Sequence, residues 1–184
     1  MMRILIASWG LLGVFFIIGR AFWRLSEIAI EGIFGGEPPM TLLHWTVLTI
    51  WVILSAYSEG YRGFQKKFSP RTVARAWYLA DNPTIVRLLF APFFTMGFFD
   101  ANRKTKITAY VMVFLIVSLV MVVSQIPQPW RGIVDGGVVI GLGWGLLSIL
   151  LIFIRTMSTG HHDLDPCMPS PATQSSAEED ALTN

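Results

Sequence analysis

Charge is what this sequence has least of. Asp, Glu, Lys and Arg together make up 14% of its 184 residues, against the ~25% of an ordinary soluble domain. A soluble fold of this size needs a charged exterior, so the shortage argues against the ordinary globular classes. Cysteine is scarcer still: Cys167 stands alone, which excludes an intramolecular disulfide. Of the three histidines only His44 falls in an apolar run, which excludes a bis-histidine haem held within one chain's spans. No motif with a known catalytic or metal-binding mechanism occurs, and no internal repeat is evident.

What is present in excess is hydrocarbon. Hydrophobic residues make up 53% of the chain and the mean hydropathy is +0.57. A bilayer accepts this, because lipid replaces the polar exterior. Crossing a core of ~30 Å takes about 20 apolar residues in a helix. Four runs qualify or nearly do. Ile4–Ile18 reaches full length if Arg20 snorkels and Ala21–Trp23 are counted. Thr41–Tyr57 follows Pro38-Pro39, Ile107–Ile126 stops at Pro127 and Pro129, and Ile133–Ile154 stops at Arg155. The residues after Ile18, Gly19 to Arg24, lack a small-x-small cleavage pattern, so the first run is expected to stay as an anchor.

Arg20, Arg24, Glu27 and Glu31 recur at helical spacing on one face. They predict an amphipathic extension of the first helix, or an interfacial helix after a bend, broken by Gly35-Gly36. The stretch 58–106 carries nine of the fourteen Lys and Arg residues against three acids, and the positive-inside rule places it in the cytoplasm. Within it, Ser69-Pro70 reads as an N-cap followed by proline at the first helical position. The helix that follows, with Arg71 and Arg75 on one face, predicts a basic amphipathic element. Lys66, Lys67, Arg71 and Arg75 are then candidate contacts for anionic lipid headgroups.

Asp81-Asn82-Pro83 ends that helix. The apolar segment 83–99 contains Arg87 and Pro92 and has basic flanks on both sides, which favours a re-entrant or interfacial helix over a fifth span. The expected fold is all-α: a polytopic membrane helix bundle of four transmembrane helices, a basic amphipathic helix and this apolar helix, with five spans as the alternative. The transmembrane domain covers 1–155, and 156–184 reads as a disordered polar tail. Both termini are expected on the cytoplasmic face of a bacterial inner membrane.

Few residues are candidates for chemistry. Gly137, Gly141 and Gly145 form a stripe at four-residue spacing, suited to close helix packing within the chain or between copies. Arg131 and Asp135 are placed for an interfacial ion pair, and His44 beside Trp45 for an interfacial anchor. Asp81, Asp100 and Arg103 flank the segment 83–99 and are the weak catalytic candidates, for an enzyme acting on lipid or isoprenoid headgroups. Capping and snorkelling account for the same residues without chemistry. His161, His162, Asp163, Asp165 and Cys167 match no zinc spacing, so no metal and no cofactor is expected. The leading expectation is a non-catalytic multi-pass membrane protein acting through anionic lipids, protein partners or a homo-oligomer, without nucleic acid. A small oligomeric transporter or channel is the further alternative.

Overall fold

The computed structural model describes residues 2–35, 39–159 and 164–169, all-helical and without strands among them. Four helical stretches are long and apolar enough to cross a membrane: Met2–Gly35, Leu42–Asp81, Arg103–Val123 and Trp130–Thr159.

The first, α1 (Met2–Ile30), runs on without a bend into a π turn, Glu31–Gly35. Of the two sequence expectations for 20–34 the continuous extension is the one found. Arg20, Arg24, Glu27 and Glu31 all lie exposed on it. The second stretch is α2 (Leu42–Ser55), a π-helical segment (Ala56–Phe68) and α3 (Ser69–Asp81), wound as one rod. Ser69 does not cap: its φ and ψ are helical, −63° and −46°, and its amide donates five residues back to the Phe64 carbonyl. Pro70, which lacks an amide hydrogen, sits where the π register gives way to the α register, so no helix break is needed there. Asn82 leaves the helical region and ends the rod, with its amide on the Tyr78 carbonyl.

The apolar segment 83–99 is not one helix. Thr84 caps the short α4 (Ile85–Leu89), Phe90 kinks out of the helical region, and α5 (Ala91–Met96) restarts with Pro92 in its first turn. Gly97, at φ +91°, stops it in a conformation that a side chain would strain. Neither piece is long enough to cross a bilayer. Asn102 caps α6 (Arg103–Val123), its side-chain oxygen accepting from the Thr105 amide. The last helix is α7 (Trp130–Thr159), which extends past Arg155, the expected boundary of the tail. Leu164–Pro169 then folds back onto the bundle: Leu164 packs in the main core and Met168 in the smaller one beside α5. His161, His162 and Asp163 lie outside the described residues.

Close contacts fix the directions. A Cβ built on Gly132 would stand 2.9 Å from Gly32 Cα, and one on Gly143 3.2 Å from the Phe22 ring, so α1 is antiparallel to α7. Trp51 Nε1 donates to the Val134 carbonyl at 3.2 Å and Trp77 Nε1 to Thr156 Oγ1 at 2.9 Å, so the long second rod runs parallel to α7. Arg3 pairs with Asp81 where α1 begins and α3 ends. The core sits there, from Ala7, Leu11 and Val14 of α1 to Val73, Ala76 and Trp77 of α3 and Ile149 of α7. In contrast, α6 packs extensively against no other helix.

Candidate functional site

One arginine organises the end of the bundle where the chain starts. Arg75 points from α3 into the layer formed by α5, the loop 97–102 and the returning segment 164–169, and is 0% exposed. Its Nε donates to the Phe94 carbonyl at 2.6 Å. One terminal nitrogen reaches the Phe99 carbonyl at 2.8 Å, and the other the Pro166 carbonyl at 3.0 Å. Both terminal nitrogens also share the Asp100 carbonyl at 3.2 Å. The guanidinium lies over the Phe94 ring, 4.3 Å from its centroid. A planar fork of five N–H donors suits this task, since it ties four carbonyls from two chain segments to one rigid group. Arg75, one of the candidate headgroup contacts, is buried: its donors go to backbone carbonyls and, at 3.4 Å, to the Met168 sulfur, and none faces the surface.

The other polar residues of this end are also engaged. Arg87 Nε donates to Asp100 Oδ2 at 2.8 Å and the same side chain reaches the Asn82 carbonyl at 3.3 Å. Its guanidinium stands beside the stacked Tyr78 and Phe94 rings, 5.6 and 5.5 Å from their centroids. Asp81 pairs with Arg3, and Arg103 is exposed on the first turn of α6. Asp81, Asp100 and Arg103 thus share an end of the bundle, with each acid held by an arginine. Lys66 and Lys67 are exposed on the π segment, Lys66 Nζ 4.6 Å from the Tyr61 ring centroid, while Arg71 is half-buried.

The returning segment is a feature that sequence reasoning missed. Its Cys167 carbonyl accepts the Asn102 amide at 2.9 Å, just before α6, and its Pro166 carbonyl takes the Arg75 donor. Cys167 holds a left-handed φ of +52°, and burial together with Asp165 pushes its thiol up from the usual range. The available signal was Leu164 and Met168, two apolar residues four apart in an otherwise polar tail.

The glycines of α7 face two neighbours. Gly137, Gly141 and Gly145 meet the second rod, where added Cβ atoms would stand 2.7 Å from Ser55 Oγ, 2.8 Å from Glu59 Oε2 and 2.7 Å from Phe64 Cγ respectively. Gly132 and Gly143 meet α1. Arg131 Nε lies 3.6 Å from Asp135 Oδ2 one turn on, with Asp135 buried. His44 is placed by its own helix start: its Nδ1 accepts the Thr41 amide at 3.1 Å, and its ring stands edge-on to Trp130 at 4.8 Å.

A groove separates α4 and α5 from α6. Phe90, Phe93, Phe98 and Phe99 line one wall and Tyr110 and Val113 of α6 the other; the Phe98 and Tyr110 rings meet edge-on at 5.5 Å, and the groove is shallow, about 550 Å³ and widely open to the outside. That volume is within the ~300–1,000 Å³ of small-molecule sites. Among the described residues no group of His, Cys, Asp and Glu could hold a metal ion. No protein-family model, curated protein or solved structure matches the chain.

Proposed function

We propose that this chain is a non-catalytic multi-pass membrane protein, oriented with Arg3, the 83–106 region and the C-terminal segment on the cytoplasmic side of a bacterial inner membrane, and that it acts by holding lipid or protein partners. In this reading α4 and α5 lie at the cytoplasmic interface as a re-entrant or surface element. What supports the orientation is charge: Arg71, Arg87, Arg103, Lys104 and Lys106 gather at one end of the bundle, as the positive-inside rule requires of a cytoplasmic end. The observation that carries the functional reading is how the polar cluster is used. Asp81 is taken by Arg3, Asp100 by Arg87 and Arg75 by four backbone carbonyls, whereas the apolar surface of α6 and its groove is left open.

The test is extraction in mild detergent, followed by native mass spectrometry and affinity capture. A stoichiometric lipid, protein partner or second copy is expected to stay with the chain. Recovery of a bare monomer under every condition sinks the proposal. An enzyme on lipid headgroups predicts something different: Asp100→Asn would abolish turnover while leaving the melting temperature unchanged.

A further inference from the structure

We infer that the groove between α4–α5 and α6 is a site for one acyl chain of an anionic phospholipid whose phosphate rests on Arg103 and Lys106, an inference resting on, and narrowing, the partner-holding function proposed above. Three observations meet here. The groove wall is hydrocarbon and aromatic ring: Phe90, Phe93 and Phe98 face Tyr110 and Val113 with almost no polar surface between them. Water gains no partners in such a space, so in a bilayer a lipid chain is the favoured occupant.

Charge then selects the headgroup. Arg103, Lys106, Tyr110 and Val113 follow one another at intervals of three, four and three residues, which places the two basic residues on the same stripe of α6 as its groove-lining residues. At 1.5 Å per residue, Lys106 stands about 6 Å before Tyr110 and about 10 Å before Val113 along the helix. A chain in the groove therefore brings its phosphate to the basic turn. The nearest acid in sequence, Asp100, is already held by Arg87 at 2.8 Å, and among the described residues neither Arg103 nor Lys106 makes an ion pair.

A second copy fits less well. Copies inserted with the same orientation would set one Arg103–Lys106 turn against another, and α6 has no glycine to let two backbones approach. The sparse packing of α6 has the same explanation: beside the Phe98–Tyr110 ring contact, with centroids 5.5 Å apart, a lipid fills the rest of the space between α6 and α5.

The experiment uses the full chain equilibrated in mild detergent with equal phosphatidylglycerol and phosphatidylcholine, read by native mass spectrometry. One phosphatidylglycerol per chain is expected to survive. Val113→Trp, which fills the groove, is expected to cut retention at least tenfold, while Val120→Trp, two turns above, leaves it unchanged. Arg103→Ala with Lys106→Ala is expected to lower the preference for phosphatidylglycerol by about fivefold per residue removed. Should Val113→Trp lose its helicity, a photo-crosslinking benzoylphenylalanine at Tyr110 gives the answer in an otherwise intact chain, and a lipid adduct is expected. Lipid retained equally by the folded Val113→Trp chain overturns the groove and leaves the lipid-holding function standing. A Tyr110 crosslink to a second copy also overturns it. Wild type that retains a protein partner but no lipid overturns the groove alone, and a bare monomer overturns both.

Discussion

At the scale of single residues, burial decides which charges are free. An arginine withdrawn from water costs several kcal/mol unless its donors are met, and Arg75 meets that cost with carbonyls rather than a carboxylate. Arg75→Ala leaves the Phe99, Asp100 and Pro166 carbonyls without that donor, while the Phe94 carbonyl keeps the Gly97 amide, and unfolding in detergent is expected to become easier by roughly 3 kcal/mol. Arg75→Lys is expected to recover less than half of that, since an ammonium cannot span the same acceptors; a thermal melt of the three proteins checks both. The glycines of α7 allow a finer comparison. Alanine gains ~1 kcal/mol of helix propensity over glycine, so the outcome depends on what the new methyl meets. At Gly141 it meets Glu59 Oε2 at 2.8 Å, which can swing away, and Glu59 Cβ at 3.1 Å, which must give by a few tenths of an ångström and offsets the gain in propensity. At Gly137 it meets the Trp51 ring, with Cδ1 at 2.5 Å, and that ring is pinned by its bond to the Val134 carbonyl. Gly141→Ala is therefore expected to be near neutral, and Gly137→Ala to destabilise by about 1–2 kcal/mol, measured by the same melts.

At the scale of elements, a local signal failed where a neighbouring segment or a longer-range contact overruled it. Ser69-Pro70 is a good helix start in isolation, yet the chain enters Ser69 already helical, because the preceding π register absorbs the missing proline amide. The segment 83–99 shows the reverse. Its hydropathy is that of a span, but Pro92 and Gly97 cut it into two short helices. The returning segment 164–169 was illegible because its binding energy comes from Arg75 and the Asn102 amide, far away in sequence. Its docking makes a prediction that the native thiol reports. Burial and Asp165 both disfavour the Cys167 thiolate, so maleimide labelling near neutral pH is expected to be slower than for a peptide spanning 160–172. It should quicken toward the peptide rate in Arg75→Ala. Equal rates in the folded wild type and the peptide would show that the segment does not dock.

At the scale of the molecule, the four stretches long and apolar enough to cross a membrane alternate in direction. Arg3, Asp81, Asn102 and the segment 164–169 share one end, while the turn from Val123 to Trp130 lies at the other. With Cys167 replaced by serine, single cysteines at Lys104 and Ser158 are expected to react from the same side of an inner-membrane vesicle and one at Gln125 only from the opposite side. A further single cysteine at Asn82 is expected to react from the same side as Lys104, and labelling of positions 82 and 104 from opposite faces would require a fifth crossing by 83–99.

Sequence alone determined that the chain is helical and apolar enough to cross a membrane four times, because hydrocarbon excess and run length are properties of local composition. It also set Gly137, Gly141 and Gly145 on one face of α7, since helical period translates directly into direction. Only the tertiary structure decided that Arg75 is a buried clamp while Arg103 and Lys106 stay free, and that four phenylalanines of 83–99 form a wall facing α6. The physical reason is the same in both cases. A charge or a ring takes its role from what is packed against it, and those neighbours arrive from α5, the loop 97–102, α6 and the C-terminal segment rather than from the adjacent sequence.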